Sequence, residues 1–334
     1  MGRRLHTFLA VVVLSLAWGC VAGAQEDAFA PQVEPAAHPE RKQPSFFHRP
    51  ARRSPAAQLA FARELEADGR ARAARRQYQA LVHTWHDSEE AAAAQAALAR
   101  LLEQARRYRR AFEEYQYLLD HYAGLFPYEE ALAGQFRIAN LLRTWRRGRF
   151  LFFPGFAAPE AALPLFEQIV ENAPGWHRAA EAQFAIGLIR QELGDEEEAV
   201  QAFERLQRRY PDSDFVAGAA YRRAACLDEI ARAQMRDEQS CRRALSALSG
   251  CLRDYPEHKA AAEARERMDR LNARLARMSY ERALFYDRDG KHPRAALIAY
   301  RDFLQKFPSA ERSDRAAERI AALRRTVEEE HESE

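Results

Sequence analysis

Small and large apolar residues recur at a fixed spacing along most of this chain. In six places an alanine is followed four positions later by a large apolar residue: Ala74/Tyr78, Ala111/Tyr115, Ala162/Phe166, Ala199/Phe203, Ala244/Leu248 and Ala296/Tyr300. A four-residue step returns to the same face of an α-helix, so the alanine lets a neighbouring helix approach while the larger side chain fills the gap beside it. The pattern therefore predicts six helical hairpins, with each pair in the second helix.

The spacing of the alanines indicates the class of repeat. Two steps are 37 residues long and the others are 45 to 52, which is the tetratricopeptide period of about 34 residues plus insertions. One unit follows the tetratricopeptide pattern closely, at Ile186-Gly187, Gly194, Ala199, Phe203 and Pro211. Gly187 allows close packing, and Gly194 is expected to end its helix with a positive φ. We expect an all-α tetratricopeptide superhelix of about six hairpins over residues 56–326.

The longer steps locate the irregular parts of the repeat. The insertion between Trp145 and Pro159 contains Phe150, Phe152 and Phe153. An exposed aromatic cluster of this size is typical of a contact surface for a protein or a membrane, but these side chains could equally fold back on the solenoid edge. Later insertions lengthen first helices, notably over 259–288, and a last helix over about 313–325 is predicted to cover the open end.

The N-terminal and C-terminal segments of the chain indicate where the protein is located and which residues lie outside the repeats. Residues 1–24 predict an export signal, because two arginines precede an apolar run that is too short for a comfortable membrane span. Cleavage after Ala24 and lipidation of Cys20 are both open. The Pro-rich residues 25–55 predict an extended tether, and residues 327–334 an acidic, frayed tail.

The sequence predicts neither catalysis nor a cofactor or metal. No phosphate-binding glycine loop, hydrolase elbow or paired metal-ligand motif occurs in it. Basic runs around Tyr108 resemble nucleic-acid contacts, but the export signal and the net charge of +2 favour solvated helix faces. If the fifth hairpin turns near Glu238, Cys226 and Cys251 lie opposite each other, which suggests a disulfide; the alternative is that both are small buried residues.

The segment 236–308 resembles the BamD family of outer-membrane lipoproteins, which belong to the β-barrel assembly machine. The resemblance lies in Arg236-Asp237-Glu238-Gln239, the Tyr255-Pro256 pair, the long helix through Arg274-Leu275-Ala276, Phe285-Tyr286 and Phe307-Pro308. The chain departs from the family in its lipobox, in the length of its tether and at Ser279, where an acidic residue is common. These departures weaken the transfer of individual contacts.

The resemblance implies a non-enzymatic adaptor at the periplasmic face of the outer membrane. Its C-terminal repeats, with Arg274, Tyr286 and Arg301 as candidates, would bind a BamA-like barrel protein, and its N-terminal repeats would bind segments of unfolded outer-membrane proteins. The membrane attachment would be a lipid anchor at Cys20. The first alternative is a periplasmic scaffold for cell division or peptidoglycan synthesis; a hydrolase carrying the repeats ranks last, because no room remains for a catalytic domain.

Overall fold

The computed structural model describes residues 49–144, 146–147, 156–157, 159–289 and 292–333. Thirteen α-helices lie in these residues: α1 Pro55–Ala67, α2 Ala71–Thr84, α3 Glu89–Gln104, α4 Tyr108–His121, α5 Tyr128–Thr144, α6 Leu163–Asn172, α7 Ala179–Leu193, α8 Glu196–Arg209, α9 Phe215–Ala233, α10 Glu238–Asp254, α11 Ala261–Leu284, α12 Pro293–Lys306 and α13 Ser313–Ser333. Consecutive helices from α1 to α12 pair into six antiparallel hairpins, and α13 packs on α12. The predicted all-α tetratricopeptide solenoid of six hairpins is confirmed.

Five of the six alanine pairs lie within the second helices, as predicted, and in the third hairpin Ala162 is the N-cap of α6. All six alanines are 0% exposed, and none of their large partners exceeds 4%. Gly187 meets the partner side chain of its own hairpin so closely that an added Cβ would lie 2.4 Å from a ring carbon of Phe203. Gly194 ends α7 with a φ of +80°, which a side chain would strain. The helix pairing therefore depends on small residues where the sequence indicated them.

A buried amide fixes the first helix of several hairpins onto the second. Gln58, Gln95 and Gln183 each donate from Nε2 to a main-chain carbonyl 19 residues further on, at 3.0–3.1 Å. Each amide lies sixteen residues before the alanine of its hairpin. The same position in the fifth hairpin holds Asp228, which is 2% exposed.

Two boundaries differ from the sequence prediction. The long first helix of the sixth hairpin covers Ala261–Leu284 and then continues as a π-helical segment over Phe285–Asp289. The last helix continues to Ser333, beyond its predicted end near Arg325, and so includes most of the acidic segment. Residues 328–333 contain no glycine or proline, and glutamate is a good helix former, so nothing stops the helix near Arg325.

The only two strands in the described residues are very short. Arg146–Arg147 (β1) pairs antiparallel with Phe156–Ala157 (β2), and a 3₁₀ turn over Pro159–Ala161 leads into α6. This ladder closes the base of the insertion in the third hairpin. Phe150, Phe152 and Phe153 lie outside the described residues, as do Cys20, the signal peptide and residues 25–48 of the tether.

Candidate partner-binding surfaces

The first helices of the N-terminal hairpins share one groove. Its volume is about 400 Å³, and α1, α3 and α5 each contribute side chains to it. Charged groups of both signs and apolar groups alternate along its walls: Arg63, Glu66, Ala93, Ala96, Arg100, Leu125, Phe126, Glu130 and Arg137. Leu125 is 54% exposed, so the groove presents apolar area as well as charge.

Carboxylate, tyrosine and arginine side chains form a repeated triad that joins neighbouring units. The acid lies near the end of a first helix, the tyrosine is the large residue of the same hairpin, and the arginine comes from the next unit. The three triads are Glu66–Tyr78–Arg100, Glu103–Tyr115–Arg137 and Asp287–Tyr300–Arg319. The hairpins whose large residue is Phe166, Phe203 or Leu248 lack the hydroxyl.

The second triad illustrates the chemistry. The Tyr115 hydroxyl donates to Glu103 Oε2 at 3.2 Å, and Arg137 Nη2 donates to the same oxygen at 3.0 Å. Burial, followed by the charge of Glu103, raises the pKa of Tyr115 to about 12, so the phenol stays a neutral donor. The Arg137 side chain remains 52% exposed, which leaves N–H groups available to carbonyl oxygens of a bound segment.

A larger groove of about 760 Å³ lies between α11 and the turn from α12 to α13. Its walls carry arginines above an aromatic floor: Arg270, Arg274, Arg277, Arg312, Tyr280, Phe303 and Phe307. The guanidinium of Arg312 lies over the Tyr280 ring at 5.1 Å from its centre. Arginine beside aromatic rings is the composition enriched at the centres of protein interfaces.

The three predicted docking residues occupy different surroundings. Arg274 lines the C-terminal groove, but its guanidinium already donates to the carbonyl oxygens of Ala231 (2.7 Å) and Gln234 (2.9 Å) at the end of α9. Tyr286 is half-buried in the π-helical segment, beside Phe285, which is 56% exposed. Arg301 is exposed on α12. Neither Tyr286 nor Arg301 is among the residues that line the groove.

The predicted disulfide does not form. Cys226 and Cys251 are free and buried, as is Cys241. The fifth hairpin turns between Ala233 and Glu238, two or three residues earlier than the prediction assumed, so the residue opposite Cys251 is Tyr221, whose hydroxyl donates to the Cys251 carbonyl at 3.3 Å. Burial raises the pKa of Cys251 to about 11, so its thiol stays protonated and inert.

Sequence reasoning missed an ion cluster around Asp228. This carboxylate, with a side chain 3% exposed, accepts from Arg267 Nη1 at 2.7 Å and lies 3.1 Å from Arg232 Nη2. Arg267 belongs to the long helix α11, so the cluster joins the fifth hairpin to the sixth. Hydrogen bonds from Arg267 to Glu263, Asp228 and Glu229 outweigh its burial and raise its pKa. The sequence does contain a signal for this cluster: Asp228 lies sixteen residues before the alanine of its hairpin, where other hairpins have a buried glutamine.

Other kinds of site receive no support in the described part of the chain. None of its helices combines the length and apolar character that crossing a membrane requires. Nor do its His, Cys, Asp and Glu side chains come together in a group of three or more that could hold a metal ion.

The comparison with protein families agrees with the repeat pattern and with the C-terminal resemblance. The model of the YfiO family, described as outer membrane lipoprotein, matches residues 199–333, and two tetratricopeptide models match 59–129 and 181–213. The chain is a BamD-like tetratricopeptide-repeat protein. The BamD-like part is longer than the predicted 236–308. These families consist of protein-interaction scaffolds.

Solved structures show similarity at a low level. YrrB, described as a TPR protein with an unusual peptide-binding site, covers 63% of this chain and 90% of its own at 18% identity, with a TM-score of 0.32. A tetratricopeptide protein from Parabacteroides merdae covers 80% of this chain and 98% of its own at 11% identity, with a TM-score of 0.31. The P58(IPK) TPR domain covers 80% of this chain and 78% of its own at 17% identity, also with a TM-score of 0.31. No curated protein matches the chain significantly.

Proposed function

We propose that this chain is a non-enzymatic, periplasm-facing adaptor of the outer-membrane β-barrel assembly machine. The observation that supports this most is the outer membrane lipoprotein family match over residues 199–333, on a solenoid built for protein contacts. A curved array of helical hairpins offers extended partners many weak contacts and needs no chemistry of its own.

The C-terminal groove is the proposed contact for a BamA-like barrel protein. Its arginines and aromatic floor can supply anchor pockets and charge pairing to an acidic, apolar partner surface. Arg274 would act there through its position in the groove wall, while Tyr286 and Arg301 would extend the contact beyond the groove. Phe150, Phe152 and Phe153 of the third-hairpin insertion are proposed as a further contact.

The N-terminal groove is the proposed contact for unfolded outer-membrane proteins. Strands of such proteins alternate apolar and polar residues and, while unpaired, expose main-chain donors and acceptors. The exposed guanidinium groups of Arg100 and Arg137 suit carbonyl acceptors, and Leu125 and Phe126 suit the apolar side chains. Weak contacts of this kind would allow release of the bound segment.

The proposed location follows from the N-terminal sequence together with the family. The N-terminal segment would direct export, cleavage before Cys20 would leave this residue to carry the lipid anchor, and the Pro-rich tether would connect the anchor to α1. Cys20→Ala should move the protein from the membrane fraction to the soluble periplasmic fraction if the acyl chains hold it. Unchanged fractionation of this variant would contradict attachment by lipid alone.

The test of the proposed function is purification of the tagged chain from its own envelope in mild detergent, with partners identified by mass spectrometry. Recovery of a large barrel protein with repeated periplasmic domains, in near-equal amount, is the expected result. Arg277→Glu, in the groove wall, should reduce that recovery, whereas Arg205→Glu on the exposed surface of α8 should not. Recovery of division or cell-wall proteins without a barrel partner would instead favour the periplasmic scaffold.

A further inference from the structure

Eight arginines come together where the first and second hairpins turn. Four lie at the start of α2 and four at the start of α4; we call these residues the arginine face: Arg70, Arg72, Arg75, Arg76, Arg106, Arg107, Arg109 and Arg110. The sequence separates the two groups by about 30 residues. The solenoid stacks them, because the second hairpin repeats the first after 37 residues.

The arginine face carries positive charge without local compensation. Seven of its residues are exposed and Arg75 is half-buried. Within the described residues, none of the eight forms an ion pair with a carboxylate, whereas Arg100 and Arg137 on the neighbouring groove do. Burial, followed by the charges of Arg107, Arg72, Arg76 and Arg110, lowers the pKa of Arg75, so the two groups are close enough to repel each other.

Two features of the main chain add to this picture. Arg70 and Arg107 occupy the N-caps of α2 and α4 without a side-chain cap hydrogen bond, so the positive ends of both helices lie in the arginine face. Arg106 has a φ of +57°, whereas the equivalent turns of the first and fourth hairpins use Gly69 and Gly194. A non-glycine residue in this conformation costs about 1 kcal/mol. Arg106 thus occupies a position where glycine would be less strained.

We propose that the arginine face binds anionic phospholipid head groups and holds the first two hairpins against a membrane surface. Charge complementarity supports this occupant, because phosphate oxygens accept paired hydrogen bonds from guanidinium groups. So does position: the face belongs to the hairpins that directly follow the N-terminal 54 residues, which contain the proposed anchor and tether. A basic patch beside a lipid anchor is a two-signal attachment, stronger than either signal alone.

This inference rests on the membrane location given under the proposed function, but the vesicle experiment that tests it requires neither the lipid anchor nor a partner protein. A truncated chain that begins at residue 25, and so lacks Cys20 and its acyl chains, would be mixed with vesicles of phosphatidylcholine alone or with added phosphatidylglycerol. Co-sedimentation would then be measured. The test variant replaces six of the seven exposed arginines by glutamine and leaves Arg106 unchanged: Arg70, Arg72, Arg76, Arg107, Arg109 and Arg110. The control replaces six exposed arginines elsewhere, 205, 208, 265, 315, 324 and 325, and so has the same net charge.

We expect the truncated chain to bind only the anionic vesicles, and to bind them less at high salt. Partition of the test variant should fall at least about a hundredfold, since each basic side chain near the surface contributes substantially. The control should keep most of the binding. Equal loss in both variants, or binding to neutral vesicles, would overturn the proposal. A chain that binds no vesicles would also overturn the proposal, whether or not that chain binds an acidic protein or a nucleic acid. Circular dichroism confirms that each variant is folded.

Arg106 separates binding from stability. Arg106→Gly should raise the melting temperature, because the strained φ is relieved, while weakening vesicle binding several-fold. Arg106→Lys should keep the binding and gain no stability. A glycine variant that is more stable and binds vesicles as well as the unmodified chain would exclude Arg106 from the lipid contact.

Discussion

The second and fifth hairpins have different buried polar residues at the same position of the first helix, a glutamine in the second and an aspartate in the fifth. In the second, the neutral amide of Gln95 is 0% exposed and donates to the Glu114 carbonyl. In the fifth, Asp228 occupies that position as a buried carboxylate and needs Arg267 from the following hairpin. The Gln95 amide donates within its own hairpin, whereas the Asp228 carboxylate pairs both with Arg232 of its own helix and with Arg267 of α11. The difference makes the C-terminal units depend on each other.

The largest loss of stability is expected when the buried glutamine of the second hairpin is replaced by an aspartate, as in the fifth hairpin. Residue 95 is 0% exposed, so Gln95→Asp would bury a carboxylate with no arginine beside it. The new carboxylate would also lie next to that of Glu114, which is 2.5 Å from Nε2 of Gln95 in the unmodified chain. We expect a loss of about 4 kcal/mol in the free energy of unfolding, measured with urea. Gln95→Met, which adds no charge, should cost about half as much. Equal losses would show that the charge is unimportant.

The reverse experiment removes the arginine from the fifth hairpin. Arg267→Met should cost about 3 kcal/mol, because Arg232 and Arg270 neutralise Asp228 only partly. The double variant with Asp228→Gln, which recreates the amide of the other hairpins, should recover most of that loss in the same urea titration. Failure of the second change to restore stability would mean that Arg267 acts through packing and not through Asp228.

A smaller effect is expected from the hydroxyl of a triad. Tyr115→Phe removes the donor to Glu103 but keeps the ring, as in the hairpins that contain Phe166 and Phe203. The expected loss is about 1 kcal/mol by thermal or urea unfolding. Phe203→Tyr provides the matched control: it adds a hydroxyl where residue 191 is a glutamine and should bring no gain. A gain there would indicate that the hydroxyl alone, without a carboxylate, stabilises a hairpin.

An effect of about the same size is expected from the ionisation of Asp287. Hydrogen bonds from Arg319 lower the pKa of Asp287 below its ordinary value of about 3.8, against the effect of burial. Its ionised form therefore stabilises the fold above the ordinary pKa, and this contribution disappears as the pH falls through the lowered folded pKa. At neutral pH, Asp287→Asn should cost about 1 kcal/mol, and the difference from the unmodified chain should vanish in acid. A difference that does not change with pH would exclude this linkage.

The sequence was most informative where a residue type has one physical use. The alanine pairs, Gly187 and Gly194 were placed correctly, because close helix approach and a positive φ leave few alternatives. The pairing of Cys226 with Cys251 was wrong because a shift of two or three residues in a turn changes every opposite residue. The triads were missed because their members are separated in the chain and meet only when hairpins stack. The basic run around Tyr108 was interpreted as a solvated helix face, because the other half of the arginine face lies about 30 residues away in the sequence.

Helix α11 belongs to two cores at once. Leu271 and Leu275 belong to the core formed with α8, α9 and α10, while Ala276 and Ala283 belong to the core formed with α12 and α13. Fraying from the C-terminus would therefore release only the second half of this helix, and its amide hydrogens should exchange with solvent in two classes divided near Leu275. One continuous helix would contain the border between a part that opens readily and a part that opens only with the whole protein.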